Sequence, residues 1–111
     1  MAQEVARERR TNPRVAVAVD VSLERKVGNA VSARTRDLSV GGAYVISTRP
    51  LQIFEEMHFD LVLDGGEHVD GTARVLRQHQ HDAYALRFER VEDDSLRVLS
   101  AFLDAHAAPL Q

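Results

Sequence analysis

The chain has 111 residues and no cysteine. That size fits one domain, and the composition excludes a disulfide framework, a thiolate metal site and a cysteine nucleophile. With 44% hydrophobic and 28% charged residues it is too apolar for a disordered chain, and a net charge of −3 has the wrong sign for a general nucleic-acid polymer binder. No apolar run approaches the roughly 20 residues that cross a bilayer; the longest is Val15 to Val19. The opening MAQEVARERR lacks the apolar segment of a secretory signal. A cytoplasmic protein with no membrane insertion is therefore expected.

Residues 1–11 are polar, charged and without periodicity, which predicts a flexible basic N-terminal arm. Arg7, Arg9, Arg10 and Arg14 stand against Glu4 and Glu8, so the first 14 residues carry +2 and the remainder −5. From Arg14 the pattern changes. Val15, Val17, Val19, Val21 and Leu23 alternate with Ala16, Ala18, Asp20 and Ser22, the period of a half-buried strand. A turn follows around Gly28, then a second strand over Ala30 to Ser39, a tight Gly41-Gly42 break and a third strand over Ala43 to Ser47. Met57, Phe59, Leu61 and Leu63 alternate in a fourth, and Asp64-Gly65-Gly66 supplies the left-handed residues of a hairpin. Val69 to Leu76 and Tyr84 to Phe88 complete the strands, with polar Gln78 to Asp82 as their connection.

The last segment changes period. Asp93, Asp94 or Ser95 can cap a helix, and Leu96, Leu99, Phe102 and Leu103 recur at spacings of three and four. A helix is predicted over Asp94 to His106, covering one opening or face of the sheet. Six short strands and one terminal helix predict an all-β fold with a C-terminal helix, a six-stranded antiparallel β-barrel over residues 12–106, with a tail at 107–111. The filled interior of such a barrel explains most of the apolar content, since each buried valine or leucine contributes about 1.5–3 kcal/mol. Function must be sought in polar residues that the fold does not require.

Two clusters meet that condition. Arg9-Arg10-Thr11-Asn12-Pro13-Arg14 contains Arg-x-x-x-Arg at the junction of arm and first strand. Arginine forks match phosphate oxygens and the O6/N7 edge of guanine, although two arginines four apart are common by chance. Asp37-Leu38-Ser39-Val40-Gly41-Gly42 is an Asp-x-Ser-x-x-Gly pattern. Alternation puts Asp37 and Ser39 on one face and Leu38 and Val40 on the other, toward the core. Gly42 would remove a side chain where the backbone turns, leaving room for a flat ring. A carboxylate accepts the adjacent N1–H and N2–H of guanine, so the two clusters are complementary halves of a guanine-nucleotide site. A plain β-turn explains the second cluster taken alone; the joint presence of both, in this order, favours the site.

With these motifs the sequence resembles the PilZ domain family of bacterial cyclic di-GMP receptors. The resemblance runs from about Arg9 to Leu103 and includes RRTNPR, DLSVGG, Val75-Leu76-Arg77 and Leu86-Arg87-Phe88. It implies second-messenger signalling by a PilZ-like barrel that binds cyclic di-GMP on its outer surface, under an N-terminal arginine segment that wraps over the ligand. Arg10 and Arg14 would hold guanine and phosphate, and Asp37, Ser39 and Gly42 the other guanine. Arg9, immediately before the first motif arginine, implies two stacked ligand molecules per chain. Many relatives have glycine at the position of Ala85, a mild packing departure.

With nothing else attached, the output would be a contact with an effector protein. No enzyme is expected: there is no Ser-His-Asp arrangement and no phosphate-binding Gly-x-x-x-x-Gly-Lys loop. His58, His68, His79, His81 and His106 read as solvated side chains rather than metal ligands, so neither metal nor cofactor is expected. The alternative is a ligand-independent PilZ-like adaptor that retains the motif for structure. Binding of single-stranded RNA or DNA is disfavoured by an aromatic content of 5%.

Overall fold

The computed structural model describes residues 14–107. The predicted arm at 1–11, with Arg9 and Arg10, and tail residues 108–111 lie outside the described residues. The strands are β1 (Asp20–Arg25), β2 (Val31–Ser39), β3 (Gly42–Ser47), β4 (Glu56–Val62), β5 (His68–Gln80) and β6 (Ala83–Val91). They form a closed barrel in the order β1-β2-β3-β6-β5-β4. Every pairing is antiparallel. One helix follows, α1 (Asp93–His106).

The alternation that begins at Val15 holds as predicted: Val15, Val19, Val21 and Leu23 are buried, while Ala16, Ala18 and Asp20 are exposed. The ladder, however, starts only at Asp20. Upstream of it the chain is fastened to β2 by other means. Val15 and Leu38 exchange both backbone hydrogen bonds, at 2.8 and 2.9 Å. Between them the Thr35 hydroxyl donates to the Val17 carbonyl at 2.6 Å and accepts the Val19 amide at 2.9 Å. A buried side chain thus stands in for two ladder bonds, which is why a perfect period of two does not yield a continuous strand.

The phase of β2 changes at the same level. Val31, Ala33 and Thr35 point inward, and strict alternation would send Asp37 after them. A β-bulge between Thr35 and Asp37 inserts Arg36 as an unmatched residue. Leu38 therefore becomes fully buried while Asp37 turns outward. Bulges re-aim side chains in this way.

Three predicted boundaries are corrected. Gln78 to Gln80 belong to β5, paired with β6 as far as Gln80↔Ala83, so the connection shrinks to His81 and Asp82. Gln78 to Asp82 are exposed, whereas Ala83 and Tyr84 across the ladder are buried and pair on their other side with Ile46 and Val45 of β3. Gly42 lies inside β3, not in a break; the β2–β3 turn is the two-residue Val40-Gly41. The N-cap of α1 is Glu92, with no side-chain cap bond; Ser95 instead donates to Asp70 at 3.2 Å. The β4–β5 hairpin matches its prediction, with Gly66 at φ 89°.

Buried residues of all six strands merge into one core, and α1 adds Leu99 and Leu103 to it. Phe59 and Phe88 stack across it at 4.4 Å. No helix of the described residues is long and apolar enough to cross a membrane.

Candidate ligand-binding site

The docking of Val15 on Leu38 brings Arg14 to the outward-turned part of β2. Arg14 Nε lies 3.4 Å from Asp37 Oδ1, and Nη1 makes a long contact of 3.5 Å to the Ser39 hydroxyl. Ser39 occupies the mouth of the β2–β3 turn, where its Oγ accepts the Gly41 amide at 3.3 Å and donates to the Gly42 carbonyl at 3.4 Å. Three of the residues singled out in the sequence are therefore brought together by a bulge, a turn and one pair of backbone bonds.

Asp37 is unusually placed for a carboxylate. Its Oδ1 is sealed from solvent, yet among the described residues it has no hydrogen-bond partner. The nearby Arg14 Nε gives an ion-pair distance without an aligned hydrogen bond, and the Arg14 side chain is half exposed at 50%. A buried carboxylate oxygen without a donor is destabilising by about 1–3 kcal/mol or more.

Gly42 has a different task from the one its motif suggests. A Cβ there would lie 2.3 Å from the backbone carbonyl oxygen of Leu86. The missing side chain lets β3 and β6 approach, and the space is taken by protein, not left open to a ring. At Gly41 a Cβ would meet nothing within 4 Å.

Register extends the site across the barrel. Asp37 faces Tyr44, Tyr44 faces Ala85, and Ala85 faces Arg77. In the next row Ser39 faces Gly42, Gly42 faces Arg87, and Arg87 faces Arg74. Glu89 holds the two arginines of that row, bonding Arg74 at 2.8 and 3.2 Å and Arg87 at 3.3 Å. The Arg74 hydrogen bonds keep the Glu89 carboxyl below its ordinary range against the opposing effect of desolvation. Arg77 and Arg87 are exposed. Sequence reading missed Tyr44, Arg77 and Arg87 as neighbours of the motif. A two-residue turn at Val40-Gly41 fixes the pairing of Asp37 with Tyr44, so knowledge of the turn length would have located the first of them.

His58 and His68 lie elsewhere, on β4 and at the start of β5. His58 Nε2 is 3.4 Å from Asp70, and His68 Nδ1 is 3.0 Å from Asp60. Among the described residues no three His, Asp or Glu side chains converge to hold a metal.

Fold and site together define a class: a small closed β-barrel with a C-terminal helix, whose polar cluster is built where the N-terminal segment crosses β2. The chain belongs to the PilZ domain family, whose family model matches residues 8–105. No curated protein matches it significantly in sequence. Solved structures give the same fold. The Bacillus subtilis inhibitor of motility (MotI/DgrA) superimposes with a TM-score of 0.73 at 14% identity, covering 85% of this chain. The match spans 49% of that longer chain. The PilZ domain of YcgR from Escherichia coli, solved with c-di-GMP, gives 0.71 at 15% identity over 88% of this chain and 91% of that one. The PilZ domain of CeSA from a cellulose-synthesizing bacterium gives 0.65 at 21% identity over 84% of this chain and 96% of that one.

Proposed function

We propose that this protein is a cyclic di-GMP receptor and adaptor, not an enzyme. Ligand would bind on the outer barrel face at Arg14, Asp37 and Ser39, with Gly42 holding the strand spacing beneath. Arg9 and Arg10 would close over it from the N-terminal side, and a pair of stacked ligand molecules is the expected load. The docked arginine segment would then present a new surface to an effector protein. A cytoplasmic setting accompanies this reading.

One observation carries it: in a PilZ domain, the motif arginine lies against the motif aspartate and serine, and a sealed carboxylate oxygen there lacks a donor. Guanine N1–H and N2–H are the donor pair that such a carboxylate takes. The YcgR domain, with which this chain shares its fold, was solved with c-di-GMP. A micromolar dissociation constant needs about 8 kcal/mol, and each bidentate base contact supplies about 1–3 kcal/mol. Two guanines and two phosphates on three arginines and a carboxylate are enough, after about 1–2 kcal/mol for each backbone residue ordered in the arm.

Isothermal titration with cyclic di-GMP, against cyclic di-AMP as control, tests the reading. Saturable binding of the guanine ligand alone is expected, abolished by Arg10→Ala and by Asp37→Ala in variants that keep their circular dichroism. No binding by the wild-type protein would leave a ligand-independent adaptor.

A further inference from the structure

Tyr44 is a large aromatic side chain that the barrel core does not use. Its neighbours Ala43 and Val45 are buried in the core, whereas Tyr44 is half-buried on the outer face of β3. It stands directly opposite Asp37, and opposed residues of antiparallel strands hold their Cβ atoms about 4.5–5.5 Å apart. On its other flank is Ala85, too short to rise over the ring. His79 braces the ring edge-on, with centroids 5.3 Å apart and planes at 82°. Arg36, the bulge residue, sets its guanidinium carbon 6.0 Å from the ring centroid.

We infer that Tyr44 is the stacking platform for the purine base whose hydrogen-bonding edge Asp37 reads. The inference rests on the cyclic di-GMP reading above and deepens it. A carboxylate that accepts from N1–H and N2–H must lie near the plane of the base. The base then projects away from Asp37 across the outer face of the sheet, and Tyr44 is the next side chain it meets. A planar guanidinium already lies toward the ring of Tyr44, and a purine is the other planar group that such a π surface accepts. The bulge at Arg36 serves both halves of the arrangement: it turns Asp37 outward, and it places a cation beside the aromatic ring.

The chain contains two tyrosines and no tryptophan. Tyr84 is buried, with its hydroxyl accepting the Leu51 amide at 3.1 Å. Tyrosine emission that responds to a surface ligand therefore reports on Tyr44. The full chain is titrated with cyclic di-GMP by calorimetry and by absorbance-corrected tyrosine emission, for wild type, Tyr44→Leu, Tyr44→Phe and Asp37→Asn. Wild-type emission is expected to be quenched on binding. Tyr44→Leu should weaken affinity by about ten- to a hundredfold, and Tyr44→Phe, which keeps the ring, by no more than about threefold. The remaining Tyr84 emission of Tyr44→Leu should be insensitive to ligand. Unchanged affinity in Tyr44→Leu with unquenched wild-type emission, while Asp37→Asn abolishes binding, overturns the stacking role and leaves the receptor reading standing. Absence of any wild-type binding overturns both. Should Tyr44→Leu not fold, wild-type emission decides: quenching on binding supports the platform, and binding without quenching overturns it.

Discussion

Thr35→Val keeps the shape of a buried side chain and removes its hydroxyl. In the native protein that hydroxyl serves the Val17 carbonyl at 2.6 Å and the Val19 amide at 2.9 Å. The valine variant leaves both backbone groups without their partner, and each such group is destabilising by about 1–3 kcal/mol when it stays dry. Val17 is half-buried, so water can reach its carbonyl in part and the sum falls at about 2–4 kcal/mol. For a domain of this size that lowers the melting temperature by about 10–20 °C. Thr35→Ser keeps both bonds and loses one methyl, a change of about 1 kcal/mol. Thermal denaturation followed by circular dichroism ranks the three proteins, and hydrogen exchange should show faster exchange of the Val15 and Val19 amides in the valine variant. A valine variant that melts with the wild type, or above the serine variant, would refute the claim that this hydroxyl replaces ladder bonds.

Two further outcomes concern packing and pH. Gly42→Ala forces a Cβ against the Leu86 carbonyl oxygen at 2.3 Å and should destabilise by about 1–3 kcal/mol in urea denaturation, whereas Gly41→Ala, which meets nothing within 4 Å, should be near neutral. Glu55 is penalised by desolvation, yet its bonds to Arg25 and the Gln52 amide outweigh that and set its carboxyl below the ordinary 4.5. A depressed carboxyl stabilises the fold above its unfolded value and loses that contribution as pH falls. The stability difference between wild type and Glu55→Gln should thus be full at neutral pH and shrink below about pH 4.5; a difference that grows on acidification would contradict it.

The parts of the fold that rest on period were legible from the residues. Alternation from Val15 to Leu23 and the stripe of Leu99 and Leu103 were readable because one face of each element is buried in the core. The outward aim of Asp37 was also readable, since Leu38 demands the interior. What could not be read was how both facts fit one strand that begins with Val31 inward. The answer is Arg36 as an extra residue, and nothing in the chemistry of an arginine announces a bulge. Thr35 hid its role for a similar reason: threonine is an ordinary strand former, and only tertiary proximity to Val17 and Val19 turns it into a backbone partner. Gln78 to Gln80 read as loop because a run of consecutive exposed polar residues looks alike in a loop and at the exposed end of a strand. The motifs named Arg14, Asp37 and Ser39, which the fold brings together, but they did not show that the space beside Gly42 is filled by β6.

The Val15–Leu38 fastening would also bear on the kinetics of the proposed ligand capture. Because the chain joins the barrel beside Asp37 and Ser39, Arg10 is tethered four residues from Arg14 and can never be farther from it than about 14 Å of extended backbone. Under the proposed cyclic di-GMP reading its encounter with a seated anion would be intramolecular, at an effective concentration of about millimolar. Lengthening the tether, not only deleting the guanidinium, is then a way to loosen the grip.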